Sequence, residues 1–422
     1  MIKYSTATLA TLICAMLATP AAMAADGGKS SAQLPDWIST FRGQVRVYQF
    51  NRLNNGNVDN PSMRGSFAAA GNVFVQTKSV YGLSLGLGVY STTDLGLGPI
   101  PSRRDGSLMG NDHSFSTPTE AYVQYDQNMI RARLGNQLLK TPWVWGSDSR
   151  VIPAAFQGFT VSVDPSKQLT VEAGYIQNWK NRTTPDYSKT TLYGVDSPDF
   201  SYAGVQYNTK FDKSDLKLQG WVYRFTDIAT MTYVQGNWRY HTGGTMDPVA
   251  AVQFAHESDT GAALLGNVDS KVSGVELGVA MGPGTYTIAF NSIPASAGAF
   301  QNGNVVTPYT HTYATDPLFT TSMTQGLADQ STSGKAVKLK GVYWMGDNRN
   351  WRFIASYARY DMDQFTKPGQ TGKPSEVDLD ATYFVHSGTF KGVSIRDRIG
   401  IFTYPGAPKT FIYNRLQFQY DF

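Results

Sequence analysis

Cysteine is nearly missing from this chain of 422 residues, and its single copy, Cys14, lies in an N-terminal stretch that reads as an export leader. A chain with no cysteine beyond that leader can build no disulfide framework, thiol nucleophile or thiolate metal site. Charge is also scarce: Asp, Glu, Lys and Arg make up 16% of the residues, where soluble domains carry about 25%. The net charge of +4 is too small to argue for nucleic acid. After Leu17 there is no long apolar run, which excludes membrane-spanning helices. Catalytic signatures are missing too. No Gly-x-Ser-x-Gly elbow occurs, and Gly334-Lys335 is followed by Ala336 where a phosphate loop needs Ser or Thr. His256-Glu257 could open a zinc-binding helix, but Thr260 stands where the second His belongs. The five histidines, at 113, 241, 256, 311 and 386, are scattered. An enzyme, a metal and a cofactor are therefore not expected.

The leader has its own logic. Lys3 gives a positive start, an apolar stretch runs from Thr6 to Leu17, and Pro20 breaks it. Ala22-Met23-Ala24 supplies the small-x-small pattern of a cleavage site, so the leader is expected to span 1–24. Lipid attachment at Cys14 would need a small residue before it, and Ile13 is there.

What is abundant is aromatic residues (13%) and glycine (41 residues), together with strict period-two patterning. Tyr81, Leu83, Leu85, Leu87 and Val89 alternate with Gly82, Ser84, Gly86 and Gly88. Val377, Leu379, Ala381 and Tyr383 alternate with Glu376, Asp378, Asp380 and Thr382. Ile395, Ile399 and Ile401 alternate with Arg396, Arg398 and Gly400, with Asp397 breaking the apolar face. At the end, Ile412, Asn414, Leu416, Phe418, Tyr420 and Phe422 oppose Tyr413, Arg415, Gln417, Gln419 and Asp421. One face suits lipid and the other water. Roughly eighteen such segments predict an all-β fold, a transmembrane antiparallel barrel over 39–422 preceded by a short periplasmic segment at 25–38. That segment is too short for a plug domain. The long connections near 51–64, 93–117, 136–156, 180–198, 293–334 and 362–374 read as outer loops. The tight ones, such as Asp126-Gln127-Asn128 and Gly282-Pro283-Gly284, read as periplasmic turns. The terminal Phe422 resembles the signature that barrel-assembly machinery reads as an insertion signal.

Parity also places charge. Arg42 and Arg46 on the first strand, Arg415 on the last, and Arg396 and Arg398 on the one before it all fall on the polar face. Barrel closure makes these strands neighbours, so the five arginines are expected to form a basic wall, with Arg131 and Arg133 a further pair. Such a wall concentrates anions. The alternative is that these side chains only solvate the pore or pair with acids, and Glu376, Asp378 and Asp380 form an acidic lumen run close by. The third long loop carries Trp143, Trp145, Asp148, Ser149 and Arg150. It is too rich in Trp, Pro and apolar residues to wave in water, so it is expected to fold inward and constrict the pore. Its tryptophans are expected to pin it to the wall rather than stack on solute. The small residues Gly82, Ser84, Gly86 and Gly88 read as marks of an open lumen. A purely structural or adhesive barrel would instead have a plugged one.

Several stretches together resemble the OprD-type porins of Gram-negative bacteria. They are Arg46 to Arg52, and Arg131 to Gly158 with Gly135, Pro142, Asp148-Ser149-Arg150, Pro153 and Phe156. Further on they are Asp316-Pro317-Leu318 with Thr321-Ser322-Met323, Ala355 to Asp361, and Lys391 to Arg398. The resemblance covers the whole chain after the leader, in order. It implies an eighteen-stranded channel with an inward third loop. It also implies a basic ladder containing Arg131, Arg133, Arg396, Arg398 and Arg415, with Asp148 and Arg150 in the constricting loop and Asp316 in a channel-lining seventh loop. The implied solutes are small anionic or zwitterionic molecules bearing a carboxylate, such as amino acids, peptides or aromatic acids; a general size-limited porin is the alternative. The implied surroundings are outer-membrane lipids and lipopolysaccharide, with the chain a monomer or weak trimer.

Overall fold

The computed structural model describes residues 34–54, 63–110, 112–147, 149–310, 316–328, 332–363, 373–405 and 409–422. The expected leader and Asp148 lie outside these residues. Eighteen strands follow one another: β1 (Ile38–Leu53), β2 (Arg64–Thr77), β3 (Leu83–Thr93), β4 (Ser114–Gln127), β5 (Ile130–Gln137), β6 (Ala155–Val163), β7 (Leu169–Lys180), β8 (Phe200–Phe211), β9 (Ser214–Phe225), β10 (Ala229–Tyr240), β11 (Met246–Asp259), β12 (Asp269–Met281), β13 (Gly284–Ile293), β14 (Gly334–Met345), β15 (Trp351–Met362), β16 (Ser375–Phe384), β17 (Val393–Thr403) and β18 (Phe411–Asp421). Each pairs antiparallel with its neighbours, and β1 pairs with β18, so the sheet closes on itself and has no free edge.

The period-two pattern decides which way each side chain points. On β3, Leu83, Leu85 and Leu87 are exposed, while Ser84 between them is buried. Apolar residues outside and polar ones inside is the inverse of a soluble core, and it suits a wall set in hydrocarbon. Exposed aromatics gather at the short-turn ends of the strands: Tyr125, Phe211, Trp238, Tyr286 and Trp351. Amphipathic rings of this kind settle at a membrane interface.

Closure is completed at the C-terminus. The Phe422 N–H donates to the Gly43 carbonyl at 3.0 Å and the Gly43 N–H to Phe422 at 2.9 Å. The Phe422 ring then lies over Gly43, where an added Cβ would fall 2.2 Å from it. Gly135 has a harder requirement. Its φ is +131°, and a Cβ there would sit 2.2 Å from the Ala121 carbonyl oxygen.

Long and short connections alternate as expected, with two departures. The outer link between β9 and β10 is short, with Asp227 at φ +62° and a fully buried Ile228. It is roofed by the next outer loop, whose Ala262 N–H donates to the Asp227 carboxylate at 2.9 Å. The turn between β16 and β17, 385–392, is longer than a tight hairpin.

The lumen is not empty. One apolar cluster joins Trp143 and Val144 of the third loop to Tyr223 and Tyr233 of the wall and to Val305, Tyr309 and Leu327 of the seventh loop. A second joins Tyr48, Phe50 and Tyr413 to Leu108 and Met109 of the second loop, Val151 and Ile152 of the third, and Met323 of the seventh. The small residues of β3 therefore do not mark open space. A Cβ on Gly86 would meet the Tyr122 ring at 2.6 Å, and one on Gly88 would meet Glu120 and Phe74. Gly82 precedes the strand and sits in the turn at φ +86°. These positions are small because large neighbours lean over them.

Candidate functional site

Barrel closure brings β17, β18, β1 and β2 side by side, and their inward positions carry the arginines. Arg398 and Arg415 are register partners, and Phe50 is the partner of Arg415 on the other side. Arg398 donates from Nη2 to the Tyr48 hydroxyl at 3.0 Å. Arg415 donates to the Met323 carbonyl at 3.2 Å, and its guanidinium lies 4.1 Å from the Tyr413 ring centre. Arg46 holds Gln419 through Nε and Nη2, at 3.0 and 2.6 Å. Arg52, which is ion-paired with Asp105 at 2.8 Å, approaches the same Tyr413 ring at 4.8 Å.

The third loop reaches this wall from β5 and β6. Arg46 donates from Nη1 to the Arg150 carbonyl at 2.6 Å, and the Tyr48 hydroxyl donates to the Ser149 carbonyl at 3.3 Å. Arg150 turns back to donate to the Ser107 carbonyl of the second loop at 2.7 Å. Arg182 of the fourth loop donates to the Ser149 hydroxyl at 2.8 Å. Burial lowers the pKa of Arg150, and Tyr413 and Tyr48 pull the other way; a guanidinium stays charged regardless. Four arginines (Arg46, Arg150, Arg398 and Arg415) and the phenols of Tyr48 and Tyr413 thus share one nearly solvent-free region.

The base of the third loop is fixed by its tryptophans and its neighbours. Trp143 is fully buried, edge-on to Tyr233 with ring centres 5.9 Å apart. Its N–H donates to the Tyr223 hydroxyl, and its carbonyl accepts from the Thr310 hydroxyl of the seventh loop. Trp145 is half-buried, with the Lys140 ammonium 5.6 Å from its ring.

The remaining arginines stand apart from this region. Arg42 is paired with Glu120 at 3.0 Å and lies 4.1 Å from the Phe74 ring centre. Arg131 is paired with Asp126 at 2.8 Å, and Arg133 donates to Gln124 at 2.7 Å. Arg396 is clamped by Asp380, which receives its Nε at 3.0 and 3.1 Å. The seven arginines therefore do not form one row. Arg46, Arg398 and Arg415 cluster, Arg396 is neutralised by its acid, and Arg42, Arg131 and Arg133 follow the periplasmic side of the lumen. There a cavity of about 320 Å³ lies between Arg42, Arg46, Trp145 and Pro153.

The acidic run has separate duties. Glu376 accepts the Thr324 N–H at 2.7 Å and Asp378 the Met323 N–H at 3.1 Å. Both acids hold the seventh loop by its backbone, while Asp380 serves Arg396. Lys338 and the Tyr360 hydroxyl donate to carbonyls of the same loop segment, at Thr321 and at Thr320 and Gln325. Asp316 steadies its own turn, accepting from the Leu318 N–H at 2.9 Å and the Thr321 hydroxyl at 2.7 Å. Sequence reasoning did not single out Tyr48, Tyr413 or Lys338 as site residues. For the two tyrosines a signal was present, since they share the inward parity of Arg46 and Arg415.

A protein-family model described as "outer membrane porin, OprD family" matches residues 39–422. The chain belongs to the OprD family of outer-membrane porins. It is accordingly a channel-forming protein of the bacterial outer membrane. Solved structures of similar fold include Pseudomonas aeruginosa OccK9 (OpdG), with a TM-score of 0.75, 19% identity, and coverage of 90% of this chain and 97% of that one. Pseudomonas aeruginosa OpdK, solved with vanillate, gives a TM-score of 0.71 at 16% identity, covering 92% and 99%. Acinetobacter baumannii OccAB3 gives 0.70 at 16%, covering 92% and 100%. No curated protein matches the sequence. At these identities the likeness of this porin to the solved ones concerns the fold.

Proposed function

We propose that this porin passes small solutes bearing a carboxylate, and that the Arg46–Arg398–Arg415 cluster with Arg150 is the place where the carboxylate is read. The observation that carries the proposal is that Arg398 donates to the Tyr48 hydroxyl, Arg415 lies on the Tyr413 ring, and Arg46 holds the third loop at the Arg150 carbonyl, all in one nearly solvent-free region. Guanidinium forks match carboxylate geometry, and a nearly solvent-free setting strengthens each contact. The vanillate in the OpdK structure is itself an aromatic carboxylate, and the rings of Phe50, Tyr48 and Tyr413 would suit such a solute here. The third loop is the constriction in this reading, supported by the hold of Arg46 and Tyr48 on its backbone. Segments 108–109, 149–152 and 323 then have to part for solute to reach the arginines. Phe422, seated against Gly43 at the closing seam, is the residue that assembly machinery would read.

One observation favours a second reading. The arginine cluster is covered by apolar residues from three loops, as a non-conducting barrel would be. Single-channel recording in planar bilayers separates the two. Discrete openings, an anion-selective reversal potential in a salt gradient and concentration-dependent block by vanillate are expected. Openings with neither selectivity nor block would leave a general size-limited porin, and a folded barrel that never opens would overturn the channel for carboxylates.

A further inference from the structure

Half-way round the barrel from the arginine cluster, the inner wall carries a belt of amides. β10 is the ninth strand after β1 in the closed sheet of eighteen, so β9 and β10 face β18 and β1 across the lumen. Gln206 of β8, Gln219 of β9, Gln235 of β10 and Gln253 of β11 are successive register partners and sit side by side on the wall. They face inward, since Val205, Leu218, Val234 and Val252 are exposed at the alternate positions.

The belt has a direction. An amide can turn to present its oxygen or its nitrogen, but the two groups at the head of this network can only donate. One is the indole N–H of Trp221, which donates to Gln219 Oε1 at 3.0 Å. The Gln219 nitrogen is then left to donate to Gln235 Oε1, also at 3.0 Å. The other is the backbone N–H of Thr320 in the seventh loop, which donates to Asn291 Oδ1 at 3.0 Å. Asn291 turns its nitrogen to the Gln253 oxygen at 2.9 Å, and Gln253 turns its own nitrogen to the Tyr233 hydroxyl at 3.3 Å. That hydroxyl donates to the same Gln235 Oε1 at 2.6 Å. Both routes meet at one oxygen, and the Gln235 nitrogen passes the polarity on to Asn237 Oδ1 at 3.0 Å. There the relay ends. The Asn237 amide has only donors left to offer, and among the described residues nothing takes them.

A cation stands beside this free end. Lys217 is the register partner of Asn237 on one side and of Asn208 on the other, and the exposed Leu218 next to it points outward. Among the described residues its ammonium makes no ion pair. Glu276, two strands along from Asn237 through Ala251, is held by Lys340 at 3.7 Å and by the Thr287 hydroxyl at 3.1 Å. The place lies below the third loop. Trp143 of that loop packs on Tyr233, and Asn237 is four residues nearer the periplasm on the same strand, about 13 Å of extended chain.

We infer that Lys217, with the amides of Asn237 and Asn208, is a second station for the solute's carboxylate, on the periplasmic side of the third loop and on the wall facing the arginine cluster. A carboxylate only accepts, and here it meets a cation beside donors whose direction is fixed from above. Turning Asn237 over would set its nitrogen against that of Gln235. The inference rests on the reading that carboxylates pass this pore, and adds where they are held once the arginines release them.

The test is single-channel current with vanillate added to one side of the bilayer at a time, in channels of one orientation. From the periplasmic side vanillate meets Lys217 before the third loop. Lys217→Met should therefore weaken block from that side roughly tenfold and leave block from the outer side within about twofold. Lys217→Arg should keep both. Asn237→Ala leaves the charge and removes the donors, and should weaken periplasmic block about threefold. Heat-modifiable gel mobility verifies that each barrel is folded. Periplasmic block unchanged in either Lys217→Met or Asn237→Ala would overturn the station. So would equal weakening from both sides in Lys217→Met, which is the signature of net charge alone. A parent channel blocked only from the outer side refutes the station and keeps the carboxylate reading, whereas one blocked from neither side refutes both.

Discussion

Replacing Arg398 by Ala should weaken block by small carboxylates far more than removing its strand neighbour Arg396 together with that residue's acid. Arg398 is 3% exposed, sits in register with Arg415 and donates to Tyr48 at 3.0 Å. A charge-assisted hydrogen bond to a carboxylate is worth about 1.5–3 kcal/mol, which predicts roughly 10- to 150-fold weaker block. Arg396 is different, because its charge is already spent on Asp380 at 3.0 and 3.1 Å. Arg396→Ala with Asp380→Ala removes a neutral pair, so block should stay within about twofold of the parent protein, and selectivity should change little. Arg396→Ala alone should behave otherwise: it leaves Asp380 unpaired in the lumen and should lower anion preference through the acid it exposes. The assay is titration of single-channel current with vanillate in planar bilayers, with reversal potentials in a salt gradient. If folded Arg398→Ala channels block like the parent, or if the neutral-pair variant loses block as badly, the carboxylate is not read at this cluster.

Three further outcomes test other parts of the structure. Glu376→Ala removes the acceptor of the Thr324 N–H and should loosen the seventh loop, giving noisier or larger single-channel currents with a folded barrel; a quiet, unchanged current would mean the loop is held without it. Deleting Phe422 removes the bonds and ring that seat against Gly43, and the yield of heat-modifiable barrel in outer membranes should fall several-fold; a normal yield would count against its role as an insertion signal. Gly135→Val places a β-branched residue at φ +131° against the Ala121 carbonyl and should cost about 2 kcal/mol or more, read as a lower unfolding midpoint in urea; an unchanged midpoint would refute the strain.

How far the sequence could be read depended on the range of the interaction involved. A strand with one face in lipid writes its orientation into alternate residues, so the β18 pattern of Ile412 to Phe422 was legible without any partner. The same parity put Arg46, Arg398 and Arg415 on one inner wall, because closure of a single-chain barrel makes the first and last strands neighbours. Parity says nothing about what leans across the lumen. Gly86 and Gly88 looked like empty space but are small because Tyr122, Phe74 and Glu120 fill it. Glu376 and Asp378 looked like counter-charges to the arginines. They are instead taken up by backbone N–H groups of a loop some fifty residues earlier in the chain, a partnership no local pattern encodes. Asp397 was the reverse case, visible at once as a break in an apolar face. Its surroundings were not legible, because Asn414, Gln49 and Asn51 come to lie beside it on the same outer wall only when β17, β18 and β1 pair.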